Sequence, residues 1–107
     1  MSYITTHVLD ATAGTPATGV PVRLETADGR PIATGTTDAD GRVAELGPDT
    51  LDPGHYRIVF DTGAYFADRQ ATFYPRVVID FRTSADQAHY HVPLLLSPFA
   101  YSTYRGS

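Results

Sequence analysis

The chain has 107 residues and no break in composition, which argues for one domain over 1–107 that buries roughly 60–70% of its unfolded surface. Its net charge is −4, its arginines are scattered rather than clustered, and it lacks lysine and cysteine, so no nucleic-acid partner, Schiff-base chemistry, thiol nucleophile, disulfide or cysteine metal site is expected. No segment approaches the ~18 apolar residues of a membrane span, and the first ten residues have neither a basic flank nor an apolar core. The expectation is therefore a protein of the cytoplasm, with no membrane association.

Ile4 to Asp10 is rich in β-branched residues and reads as a first strand, with Thr5, His7 and Leu9 on one face. Residues 13–19 are turn chemistry throughout. Val20 to Thr26 alternates as a half-buried strand. Asp28-Gly29 links it to Ile32 to Thr37 as a hairpin, because glycine accepts the positive φ such turns need. A second Asp-Gly pair, Asp40-Gly41, precedes Arg42 and the short run Val43 to Leu46. Asp52-Pro53-Gly54 launches His55 to Asp61, where Tyr56, Ile58 and Phe60 form the apolar face. Residues 62–70 hold the one expected helix, capped by Asp61 or Thr62. Val77 to Arg82 alternates again. A final hairpin over His89 to Ser107 turns at Ser97-Pro98. About eight short strands at roughly 8 to 12-residue spacing give an all-β, antiparallel sandwich with one short helix.

The chemistry-bearing positions are few. His89 and His91 lie two apart on a strand and share a face. Taken alone they read as a solvated strand edge. With His7 as third ligand they would form a zinc site, although no acidic residue adjoins them to orient the rings. His55 reads as a loop-edge residue. Asp38-Ala39-Asp40-Gly41 has the look of a calcium loop, but the position six beyond the glycine is Gly47 where a glutamate is needed, so turn chemistry is expected. Arg42 either is solvated or points its guanidinium fork into a cleft. Leu94 to Leu96 is apolar on both faces, which fits a central strand or one covered by another subunit; Pro93 beside it disfavours a regular interior ladder. Phe99, Tyr101 and Tyr104 make the last strand aromatic, as in a core or an interface.

Several stretches together resemble the transthyretin-like (prealbumin-like) family, and within it the branch that hydrolyses 5-hydroxyisourate. They are His7-Val8-Leu9-Asp10, Gly14 with Pro16-Ala17, Asp40-Gly41-Arg42, Tyr56 to Phe60, Tyr65-Phe66, Phe73-Tyr74-Pro75 and the whole of His89 to Ser107. The terminal Tyr104-Arg105-Gly106-Ser107 is the most specific of these, and it removes the reading of Gly-Ser as a cloning remnant. The hormone carrier of the same family has lysine where His7 stands, an acidic residue where Arg42 stands, threonine where His91 stands, and no such terminus.

The resemblance implies two four-stranded sheets and a homotetramer around a central channel, with the first strand beside the penultimate one. It implies hydrolysis of 5-hydroxyisourate to 2-oxo-4-hydroxy-4-carboxy-5-ureidoimidazoline in urate degradation. His91 or His7 would be the general base, and Arg42 would hold the substrate and the developing oxyanion. Tyr104 would bind substrate, Ser107 would complete the catalytic set, and Arg105 would order the C-terminus. No cofactor and no metal are implied. The competing readings are a non-enzymatic ligand carrier using the same channel, since fold alone never excludes it, and a zinc hydrolase through His7, His89 and His91. A purely structural interaction domain is a weaker third, because the four matching polar groups would then lack a purpose.

Overall fold

Ile4 to Asp10 alternates buried and half-buried residues without interruption and forms β1 (Ile4–Asp10) in this computed structural model, which describes residues 2–107. The other strands are β2 (Thr15–Pro16), β3 (Pro21–Thr26), β4 (Pro31–Thr36), β5 (Arg42–Val43), β6 (Gly54–Phe60), β7 (Val77–Thr83), β8 (Tyr90–Ser97) and β9 (Ala100–Thr103). One sheet runs β2-β1-β8-β9, with β5 also paired to β1, and the other runs β4-β3-β6-β7. Ile4, Val8, Leu94 and Leu96 from the first sheet share one core with Leu24, Ile58 and Phe60 from the second, each 0% exposed. Each such side chain contributes about 1.5–3 kcal/mol on burial. A one-residue slip would turn all of them outward, so the alternation pins the register.

The all-β sandwich with one helix is as expected, with differences that have local causes. Pairing is antiparallel except between β1 and β8, which run parallel. Nearly the whole chain separates those two strands, so no hairpin constrains their direction. Residues 13–19 are not all turn: Thr15 and Pro16 pair with Asp10 and Leu9 as β2. Two residues on a sheet edge are too few to carry an alternation signal.

The run Val43 to Leu46 leaves the sheet after Val43, since β5 pairs only through Thr6↔Val43 and His7↔Arg42. Leu46 turns inward instead and is fully buried. Helix α1 (Thr62–Phe66) is shorter than the expected 62–70. Asp61 caps it by accepting from the Ala64 amide at 3.1 Å, and Tyr65 and Phe66 bury into the core. Both Asp-Gly turns have glycine at positive φ, 92° at Gly29 and 76° at Gly41. Among the described residues, no helix is long and apolar enough to cross a membrane.

Leu94 to Leu96 belongs to a central strand, with β1 on one side and β9 on the other. Leu94 and Leu96 fill the core while Leu95 is half-buried on the outer face, which accounts for the run's lack of a polar side. Pro93 sits inside this strand after all. Its backbone points toward β9, on the same side as the His91 carbonyl that accepts from the Gly106 amide. The β8–β9 ladder ends at Leu94↔Thr103. The missing N–H therefore falls where the partner chain has already left.

Candidate active site

Parallel pairing of β1 with β8 sets Thr5 opposite His91, His7 opposite Pro93 and Leu9 opposite Leu95. These residues look away from the core; Thr5, His7, His91 and Leu95 are half-buried while their strand neighbours Ile4, Thr6 and Val8 are buried. On the other side of β1, Arg42 opposes His7. Directly opposed side chains on one face stand about 4.5–5.5 Å apart at Cβ, and diagonal ones about 7–8 Å. His7, Arg42 and His91 thus meet on one outer face. The sequence parity of His7 with His91 is realised through the neighbouring strand that the family resemblance implied.

The turn before Arg42 is built by one aspartate. Asp38 Oδ1 accepts from the amides of Asp40 at 2.9 Å and Arg42 at 3.1 Å, so its carboxylate serves the backbone as turn chemistry rather than a cation. Gly41 then passes so close to β1 that a Cβ there would stand 2.3 Å from the Val8 carbonyl oxygen. Its own carbonyl accepts from the Val8 amide at 2.7 Å. Only glycine allows this approach, and the approach delivers Arg42 to His7.

His91 is held by a hydroxyl. Thr5 Oγ1 lies 2.9 Å from His91 Nδ1 and 3.0 Å from His89 Nε2, and His89 Nδ1 lies 3.0 Å from the Ser2 carbonyl oxygen. Partial burial pushes the His91 imidazole below the usual histidine range, and the positive charge of Arg42 presses it further down, with the neighbouring His7 and His89 adding to the effect. His91 is therefore neutral at physiological pH, with a lone pair to offer as a base.

The C-terminal segment returns to this face. After β9 ends at Thr103, Tyr104 and Arg105 swing out, and Gly106 bridges back to His91 with its amide donating to the His91 carbonyl at 2.9 Å. Tyr104 is 59% exposed, and Ser107 is exposed as well. The Arg105 guanidinium lies over the Tyr90 ring, 5.2 Å from its centroid, an ordering contact for the terminus. A cleft of about 530 Å³ opens between β7 and this segment, lined among others by Ile79, Phe81, His91, Val92 and Thr103. His7 and Arg42 do not line it. The face that joins His7, Arg42 and His91 is open in the single chain.

His55 stands apart on the second sheet, exposed and paired with Asp80 at 2.9 Å. Both ring nitrogens of His89 are engaged within the protein, which leaves it no free nitrogen as a metal ligand. Among the described residues, no group of three or more histidine or acidic side chains is arranged to hold a metal ion. Sequence reading missed Thr5 and gave His89 a role only as a ligand in the zinc alternative. The available signal was that Thr5 shares the face of His7, which becomes telling only once the parallel register sets it against His91.

Two facing sheets with a short helix, and a histidine–arginine cluster on one outer face, define a sandwich of the transthyretin class. Residues 4–106 match the HIUase/Transthyretin family, and the chain belongs to it. It is 46% identical to the 5-hydroxyisourate hydrolase of Salmonella typhimurium over 111 residues, covering 99% of this chain and 82% of that protein. Among solved structures, the 5-hydroxyisourate hydrolase of Klebsiella pneumoniae superposes with a TM-score of 0.90 at 40% identity, covering 99% of this chain and 100% of that one. Sea bream transthyretin in complex with thyroxine superposes with a TM-score of 0.89 at 37% identity, covering 97% and 94%. The fold therefore fits both a hydrolase and a carrier, and the side chains on the outer face must discriminate.

Proposed function

We propose that this protein hydrolyses 5-hydroxyisourate to 2-oxo-4-hydroxy-4-carboxy-5-ureidoimidazoline. The observation that carries the reading is a neutral His91 held on one face with Arg42 and His7, in a chain 46% identical to a hydrolase of that name. Opening the lactam requires a water to add at the ring carbonyl carbon. His91 takes the proton of that water, a role worth about 10²–10⁴ in rate. The carbonyl oxygen becomes an oxyanion, and the Arg42 guanidinium stabilises it by charge and paired N–H donors. The C–N bond then breaks. The proton held by His91 passes to the departing nitrogen, and the carboxylic acid formed at the former carbonyl releases its remaining proton to solvent, leaving a carboxylate.

His7, beside Arg42, orients the planar ring, and Tyr104 and Ser107 supply hydrogen bonds at its rim. A thyroxine-type carrier has no use for a neutral imidazole beside a guanidinium, which favours the hydrolase over the runner-up.

The working form is a homotetramer in which a second copy roofs the open face and makes the channel. Two features support this. Leu9 and Leu95 offer half-buried apolar surface next to the site, and Phe73, Phe99, Tyr101 and Tyr104 are exposed at 70%, 67%, 41% and 59%. Sedimentation should give a tetramer, and a fully active monomer would remove this part of the reading.

The test of function is the ultraviolet decay of 5-hydroxyisourate, generated from urate by urate oxidase, with and without the protein and with a chelator. Accelerated decay that the chelator leaves unchanged is expected. His7→Ala, Arg42→Ala and His91→Ala should each fold and lose about 10²-fold or more of kcat/KM. Decay abolished by chelator would turn the reading toward a metal hydrolase, and no acceleration at all would leave the carrier.

A further inference from the structure

One chain of hydrogen bonds reaches from the backbone of Ser2 to the proposed base. Its polarity follows from counting protons. The Ser2 carbonyl can only accept, so His89 Nδ1 must carry a hydrogen and donate it across 3.0 Å. A neutral His89 then has a bare Nε2, which accepts from the Thr5 hydroxyl at 3.0 Å. Thr5 has one proton and has now used it. Toward His91 its oxygen can only accept, so the 2.9 Å contact requires a hydrogen on His91 Nδ1. A neutral His91 is left with its lone pair on Nε2.

We infer that Thr5 and His89 are positioning residues for the hydrolytic reaction, locking His91 in the Nδ1–H tautomer so that Nε2 is the atom that takes the proton from water. The inference rests on the hydrolase reading above, with His91 as base. A free imidazole distributes its hydrogen between both nitrogens and rotates about χ2, whereas this ring has its hydrogen and its plane set before substrate arrives. Nδ1 faces Thr5 on β1, and the opposite Cδ2 edge of the ring lies against Gly106, where any side chain would collide with it.

A carboxylate commonly performs this orienting task in histidine-based sites. Here a hydroxyl relays the task to a second histidine, and the outermost anchor is a backbone carbonyl. The arrangement suits a site whose substrate is oxygen-rich and whose arginine must stay free for it, since a carboxylate next to His91 would compete for Arg42. Both histidines of the His-x-His pair thereby acquire separate tasks. His91 meets the reacting atoms, and His89 meets only Thr5 and Ser2.

The experiment is imidazole 15N NMR of the intact protein together with steady-state kinetics. The wild type should show His91 with a protonated Nδ1 and a bare Nε2. Thr5→Val, which keeps the shape and removes the hydroxyl, should mix the two tautomers. Its kcat should fall by about 10- to 100-fold with KM nearly unchanged, because the loss lies in the proton-transfer step. His89→Phe should behave alike, and Thr5→Ser should keep both the tautomer and kcat within about threefold.

A wild-type His91 protonated on Nε2, or Thr5→Val with wild-type kcat, would overturn the inference. His91→Ala separates the two levels. If it stays fully active the assignment of the base falls and the inference falls with it. If it is inactive while Thr5→Val is normal, only the positioning role falls.

Discussion

Gly106 lies against the imidazole of His91 so closely that a Cβ at position 106 would stand 2.5 Å from the His91 Cδ2 and 3.2 Å from its Cβ. The same two residues form a backbone bridge, so the C-terminal segment is docked on the proposed base by main chain rather than by side chains. The glycine is required by this approach, not by its φ, which is not in the left-handed region.

Gly106→Ala is therefore expected to disturb the site far more than the fold. The added methyl must displace either the terminus or the His91 ring, and misplacing a catalytic group by about 1 Å can cost on the order of 10²-fold. Comparing kcat/KM with the urea midpoint of unfolding checks this. An active variant with a wild-type midpoint would show that the terminus is free to shift.

The rate should fall as pH drops through the titration of His91, because only the neutral imidazole takes a proton from water. Burial is the largest cause of its depressed pKa and Arg42 the next, so the acid limb of kcat/KM should lie below 6.5, the value for an unperturbed histidine. Arg42→Gln removes one of the repelling charges and should move the His91 titration upward by NMR, part of the way to 6.5 and no further, since burial remains. The linkage has the same sign. A histidine with a folded pKa below its unfolded one leaves stability untouched above pH 6.5 and subtracts from it as pH falls from there toward the folded value. A titration that moves downward in Arg42→Gln would contradict the proximity of the two groups.

Acid should also weaken the second sheet through Glu25. This buried carboxylate on β3 is held below the ordinary glutamate range, first by the hydrogen bond from Arg23 and then by that from Arg57, whose Nε donates at 2.7 Å. A depressed carboxylate pKa contributes stability that is present above the unfolded value of 4.5 and is lost as pH falls through the folded value. Glu25→Gln should lower the melting temperature near neutrality and narrow the gap between neutral and acid melting temperatures. An unchanged gap would assign the acid sensitivity elsewhere.

Tyr65→Phe tests the tie between the helix and β1. The Tyr65 hydroxyl donates to Asp10 Oδ2 at 2.7 Å, and its pKa is pushed up to about 12 by burial and by that carboxylate. Asp10 is itself buried, and its other oxygen accepts from the amides of Thr12 and Ala13. Removing the hydroxyl leaves Oδ2 without this donor and should cost about 1–3 kcal/mol by urea unfolding. The site lies on the opposite face of β1, so kcat should not change. A loss of activity at full stability would contradict this separation.

The sequence determined what depends on neighbours along the chain. Alternation at period two placed His7 with Thr5 and Leu9, and His91 with Pro93 and Leu95, because a strand must show successive side chains to opposite faces. The Asp-Gly pairs marked two turns because glycine takes the positive φ found there at little cost, and the motifs up to the final Tyr-Arg-Gly-Ser carried the family.

The tertiary structure decided everything that depends on register between distant strands. Parity treated His89 and His91 alike. What separates them is that β1 runs parallel to β8 with Thr5 opposite His91, which puts His91 on the face with Arg42 and turns His89 back onto Ser2. The two-residue strands β2 and β5 likewise exist only through their pairing with β1. So does the approach of Gly41 to Val8 that delivers Arg42. Such contacts are set by burying Ile4, Val8, Leu94 and Leu96 in one core, a free-energy term that acts between segments and leaves no local pattern to read.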